Sequence, residues 1–143
     1  MKGCINIAGR LRIYRDGVLL ADHPNQVTFL GMEAIMRGWD GATGYNVTHF
    51  ECGDGTVAPT ASDTALVNTT YGPQGINSFA VTGSTTLDIT FSIAPGATTT
   101  QDFTEFGLFA ANGDLIARWC DGNTYSYITT GTMDFVWTLT FTL

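Results

Sequence analysis

Met133-Asp134-Phe135-Val136-Trp137-Thr138-Leu139-Thr140-Phe141-Thr142-Leu143 decides the fold. Met133, Phe135, Trp137, Leu139, Phe141 and Leu143 fall on one side of an extended chain. Asp134, Val136, Thr138, Thr140 and Thr142 fall on the other. That period of two is the signature of a strand with one buried face. An outer row of threonine suits it, because Thr is β-branched, fits a pleated surface and stays wettable. The same alternation recurs at Thr86–Ile93, where Leu87, Ile89, Phe91 and Ile93 oppose Asp88, Thr90 and Ser92.

Turn signals then divide the chain into short strands. Asp16-Gly17 separates apolar runs at about 4–14 and 18–22, which predicts an N-terminal β-hairpin that His23-Pro24-Asn25 ends. Further strands are expected at Asn46–Cys52, Val67–Tyr71, Asn77–Val81, Asp102–Ala110 and Asp114–Trp119. The last two flank Ala111-Asn112-Gly113, a strong hairpin signal. Residues 29–39 read as the one helix, capped by Thr28 and stopped by Asp40-Gly41. Leu30, Ala34, Ile35, Met36 and Trp39 supply its apolar stripe, expected to plug one end or edge of the core. Eight or nine strands with regular turns predict an all-β fold, a β-sandwich or jelly-roll-like domain with one short α-helix and an N-terminal β-hairpin. The reading is a single domain over 1–143, with 1–24 as a hairpin arm and 25–143 as the body. The last strand runs to Leu143, so that end is expected to be tied into a sheet.

Composition narrows the function classes. The 143 residues are 44% hydrophobic and 13% charged, with 17 glycines and a net charge of −7. Charged residues ordinarily make up about 25% of a chain. These values exclude a coiled coil and a nucleic-acid binder that relies on a basic surface. No apolar run approaches the roughly 20 residues of a membrane span. Residues 1–37 hold Lys2, Arg10, Arg12, Arg15 and Arg37 against three acids, net +2, and residues 38–143 hold ten acids against Arg118, net −9. Cys4, Cys52 and Cys120 are an odd set, expected to be free thiols in a reducing compartment. The arginines at 10, 12 and 15 interrupt any secretion signal.

Catalytic and ligand-binding patterns are weak. His49 and Cys52 have a metal-like spacing but would face opposite sides of a strand. Gly53-Asp54-Gly55 and Asp121-Gly122-Asn123 lack the spaced oxygen ligands of a calcium loop and read as turns. Asp102 and Glu105 flank Phe103 without anything to separate their roles as acid and base. No Gly-x-Ser-x-Gly elbow or phosphate loop occurs. The expectation is therefore no enzyme, no cofactor, no metal and no small-molecule substrate. Trp119, next to Arg118 and Cys120 near a turn, is the one aromatic placed to stack on a sugar, which keeps a carbohydrate-binding module as an alternative.

Three segments together resemble small structural proteins of tailed bacteriophages. Gly53-Asp54-Gly55-Thr56, Pro59 and Asp63-Thr64-Ala65-Leu66 resemble their GxGTxxPxxxDTxL stretch. Thr104-Glu105-Phe106-Gly107-Leu108-Phe109, Gly113, Leu115 and Ala117-Arg118 resemble their TExGLFxxxGxLxAR hairpin. The terminal strand, with Trp137, Thr140 and Phe141, resembles their LxVxWxITF ending. The resemblance covers about 25–143 and leaves the hairpin outside. It implies a non-enzymatic virion protein of β-sandwich type, made in the host cytoplasm and carried on the capsid exterior. Capsid cement or decoration is the first expectation and a tail, fibre or baseplate module the alternative. The implied partners are the major capsid protein and further copies of the chain, as homodimer or homotrimer. Lys2, Arg10, Arg12 and Arg15 are the expected capsid contacts, and Glu105 is expected to pair with Arg118 across its hairpin. Thr-rich, charge-poor faces suit such a role, since they cost little to desolvate against a neighbour.

Overall fold

The computed structural model describes residues 6–142. Eleven strands and one helix follow in the order β1 (Asn6–Arg15), β2 (Val18–Val27), α1 (Phe29–Trp39), β3 (Val47–Gly53), β4 (Thr69–Gly75), β5 (Ser78–Thr82), β6 (Thr86–Ile93), β7 (Gln101–Phe103), β8 (Glu105–Ala110), β9 (Leu115–Trp119), β10 (Tyr125–Tyr127) and β11 (Met133–Thr142). Nine strands form one antiparallel sheet in the order β4-β3-β8-β9-β2-β1-β11-β6-β5, and β10 pairs with β7 in a small second sheet. The fold is all-β and sandwich-like.

The sheet curls. Phe50 on β3 and Phe91 on β6 are six strand positions apart, a flat-sheet separation of about 29 Å at ~4.8 Å per strand. Their ring centroids nevertheless lie 4.2 Å apart. The bend falls at the β2–β9 junction, which is only two residue pairs long, Gln26 with Arg118 and Val27 with Ala117. A four-stranded layer, β4-β3-β8-β9, therefore faces a five-stranded layer, β2-β1-β11-β6-β5. Phe50, Phe91, Phe106, Phe135 and Trp137 fill the space between them. The alternation of β11 is realised directly, with Met133, Phe135, Trp137 and Leu139 buried and the residues between them half-buried.

The N-terminal hairpin is not an arm. β1 lies between β2 and β11, with all ten of its residues from Asn6 to Arg15 paired to β11, and Leu11 and Ile13 are fully buried in the core. The hairpin also runs past its expected end. β2 continues through Pro24, which sits opposite Arg10. Proline is tolerated there because β9 pairs with β2 only at Gln26 and Val27, so the missing N–H interrupts no ladder. Asp16 and Gly17, both with positive φ (49° and 81°), form the turn. It is anchored by hydrogen bonds between Asp16 and Thr132.

α1 closes one end of the sandwich. The Thr28 hydroxyl accepts from the Gly31 N–H at 2.9 Å and donates to the Leu115 carbonyl, fixing the helix start against β9. Of the expected stripe, Ala34 is buried and Leu30 and Ile35 are half-buried, whereas Met36 and Trp39 are not, and Gly31 joins the seated side. A Cβ on Gly31 would stand 2.1 Å from the Ile116 carbonyl oxygen, so only glycine permits this approach. Seating that side turns Phe29, Met32, Met36 and Trp39 outward. Phe29 is 65% exposed, Met36 61% and Trp39 73%.

Candidate functional site

The first two resemblance segments meet at one place. β8 is buried on both faces, because residues 54–68 lie as a third layer over the outer face of the four-stranded layer. Leu66 packs there on Phe109 and Leu115. Gly107 leaves room, since a Cβ at that position would meet the Leu66 side chain at 2.8 Å. Beside this contact, Glu105 and Arg118 project from neighbouring strands into the space under the loop, 0% and 1% exposed.

Their geometry is that of a clamp. One carboxylate oxygen of Glu105 accepts from the backbone N–H groups of Gly55 (3.1 Å) and Asn68 (2.8 Å). The other accepts from the Val67 N–H (3.0 Å) and from Nε and Nη2 of Arg118 (3.1 and 2.9 Å). Arg118 also donates from Nη2 to the Val57 carbonyl (2.8 Å) and from Nη1 to Asp63 (2.9 Å). Asp63 accepts in turn from the Thr60 N–H and hydroxyl, which folds the loop upon itself. Burial raises the Asp63 carboxyl, but the Thr60 bonds and the Arg118 guanidinium outweigh it, and the net shift is downward. Gly55 is required here too, because a Cβ would lie 2.4 Å from Glu105 Oε1. Five donors thus converge on Glu105, and a buried charge pair needs such saturation to be tolerated. What this chemistry does is hold residues 54–68 on the sheet at both ends and in the middle.

The expected Glu105–Arg118 pair is therefore present, but it is a buried three-residue cluster rather than a surface cross-strand bridge. Asp63, which the sequence shows only as part of the first resemblance segment, joins the pair through its bond to Arg118. The signal available was Arg118 itself, a lone cation among ten acids in 38–143. Asp102 is separated from this cluster. It lies on β7, where it accepts from the Ser126 hydroxyl at 2.6 Å.

Trp119 is not an exposed platform. It is 1% exposed, because β9 alternates and the residue after outward-facing Arg118 points inward. It packs against Phe106 and Tyr125 at centroid distances of 5.4 and 5.2 Å. The sugar-stacking reading loses its residue. His49 stacks on Phe109 at 5.3 Å, while Cys52 is fully buried, and burial pushes its thiol well up. No group of three or more metal-ligating side chains occurs among the described residues.

The basic residues do not form a separate cationic tether. Arg10 is bonded to Asp22 on the adjacent strand, and Arg15 donates to the Ser126 carbonyl at 3.4 Å. Arg12 is half-buried opposite Asp22. Lys2 and Cys4 lie outside the described residues. Comparisons with protein-family models, with curated proteins and with solved structures find no match to this chain. The phage resemblance accordingly stands on its three segments.

Proposed function

We infer that the chain is a non-catalytic particle protein, a capsid cement or decoration protein that binds the outer surface of a major capsid protein lattice and stabilises the head. The observation that carries this reading is the second, outward apolar stripe of α1. Phe29, Met32 and Met36 recur at helical spacing along its outward side, at 41% exposure or more, while Trp39 at the helix end lines a groove with Val81 of β5. A contiguous apolar stripe on a surface marks a contact with another macromolecule. The resemblance supports the particle context. The first two segments that carry it have a mechanical role here, since their charged residues hold a loop against a sheet.

The contact surface in this reading is α1, with the outer face of β1 and its Arg10 and Arg12 contributing at most a polar rim. Residues 6–22 are no detachable tether, since their removal takes out β1, the strand that joins β2 to β11, and half of β2. The test is the copy number in purified particles, from gel band intensities relative to the major capsid protein. Cement predicts a number comparable to the lattice protein. A handful of copies identifies a tail, fibre or baseplate module instead, and absence from particles removes the reading.

A further inference from the structure

The two layers end differently where residues 69–82 cross from one to the other. Ile76 donates to the Thr48 carbonyl on β3, and Asn77 donates to the Thr90 carbonyl on β6, so β4 and β5 are successive parts of one crossing ribbon. β4 is a blunted edge. Pro73 has no N–H to offer, glycines stand at 72 and 75, and the pairing with β3 shifts register at Phe50/Cys52 and at Cys52/Gly53. β5 has none of these devices. Ser78-Phe79-Ala80-Val81-Thr82 pairs with β6 in unbroken register, and all five residues are exposed. Among the described residues no strand pairs with its other side. Phe79 and Val81 lie opposite Ile89 and Leu87, so they carry the inner apolar face beyond the last strand. Val81 also lines, with Trp39, Leu87 and Phe141, a groove of about 450 Å³.

We propose that β5 is the self-association edge of this protein. Two copies pair β5 with β5, antiparallel across a two-fold axis at Ala80, which places Phe79 beside the second copy's Val81. The two five-stranded layers become one continuous sheet. Three observations favour a second copy as the occupant. No charged residue occurs from Thr64 to Leu87 in a chain of net charge −7, so identical edges meet without like-charge repulsion. An antiparallel strand paired with itself is closed by a two-fold axis and leaves no further edge at that site. The area also suffices. Phe79, Val81 and Trp39 are 52%, 76% and 73% exposed. With aromatic side chains of 150–250 Å², that is about 350 Å² of apolar surface per copy. With the polar share of an ordinary interface it reaches about 1,200 Å² in total, the lower bound for a stable dimer.

Sedimentation equilibrium of the purified chain, from micromolar to submillimolar concentration, tests this without any capsid, so its outcome is independent of the particle reading. The expected mass rises to twice the 15.3 kDa of the chain. Val81→Lys and Phe79→Lys, both at exposed sites, are expected to return it to that of one chain with an unchanged circular-dichroism spectrum. Gln74→Lys on β4 is expected to leave the dimer intact. A monomer at every concentration, a trimer, or a Val81→Lys chain that associates like the parent overturns the proposal. Should either lysine variant misfold, amide exchange of Ser78–Thr82 in the parent chain decides the matter. Protection that grows with protein concentration supports the edge, and exchange independent of concentration overturns it.

Discussion

The four-stranded and five-stranded layers keep their outer faces in opposite ways. The first is covered by its own chain, with residues 54–68 laid over β8 and β9 and held by Glu105, Arg118 and Asp63. The second has a row of threonine and other polar side chains outward and stops at an uncovered edge, β5. The difference teaches where charge is useful in a charge-poor protein. Where a loop must lie on a sheet, its backbone N–H groups need acceptors, and one buried carboxylate serves three of them. Where a sheet faces water or a neighbour, threonine meets both conditions without the desolvation cost of a charge.

The largest effect is expected at the clamp. Arg118→Met leaves Glu105 buried without its counter-ion and should cost about 3–5 kcal/mol in urea unfolding. Amide exchange should rise first at Gly55, Val67 and Asn68, while the amides of β11 stay protected. Uniform loss of protection would mean that the clamp supports the whole sandwich and that the two layers do not differ in this respect.

Gly31→Ala comes next. Its methyl group would be forced against the Ile116 carbonyl, and lifting α1 off β9 should cost about 1–3 kcal/mol in thermal or urea unfolding. An unchanged melt would show that the helix is free to shift, and that its outward stripe is not fixed by glycine.

Acid should loosen the covered layer. The Asp63 carboxyl is held below its ordinary value, so its contribution is complete above the unfolded-state pKa of about 3.9. That contribution is lost as pH falls through the lower folded-state value. Stability should therefore fall below about pH 4. Asp63→Asn should make that fall shallower, and an identical pH profile for the variant would remove Asp63 from the clamp.

The smallest effect on stability is expected at the open edge. At concentrations where the parent is a single chain, Val81→Lys should change the unfolding free energy by no more than about 0.5 kcal/mol, since the side chain is then in water. A larger loss would show that Val81 supports the fold and is not held in reserve for a partner.

Much of the architecture was legible in residue patterns, and the failures have physical causes. The period of β11, the hairpin turn at Asp16-Gly17 and the limits of α1 follow from local rules of alternation, positive φ and capping, so they could be read from neighbouring residues alone. β10 was missed because three residues are too few for a period, and it exists only by pairing with β7. The central place of β1 was missed because strand order is set by contacts between distant residues. Within the expected stripe of α1, Met36 and Trp39 face outward for a related reason. Periodicity shows that a helix has an apolar side, but the closeness of Gly31 to Ile116 selects which side is seated. At the clamp, Glu105 and Arg118 are 13 residues apart and could be paired through their hairpin. Asp63, 55 residues from Arg118, could not.

The particle reading rests most heavily on the outward stripe of α1, and one measurement addresses it directly. Purified chain would be added to particles stripped of it, and the retained copies counted for the parent and for Met36→Glu, a substitution at a site 61% exposed. We expect the parent to saturate in proportion to the lattice protein and the folded Met36→Glu chain to be lost on washing. Equal retention of the two would contradict the assignment of α1 as the face that grips the capsid.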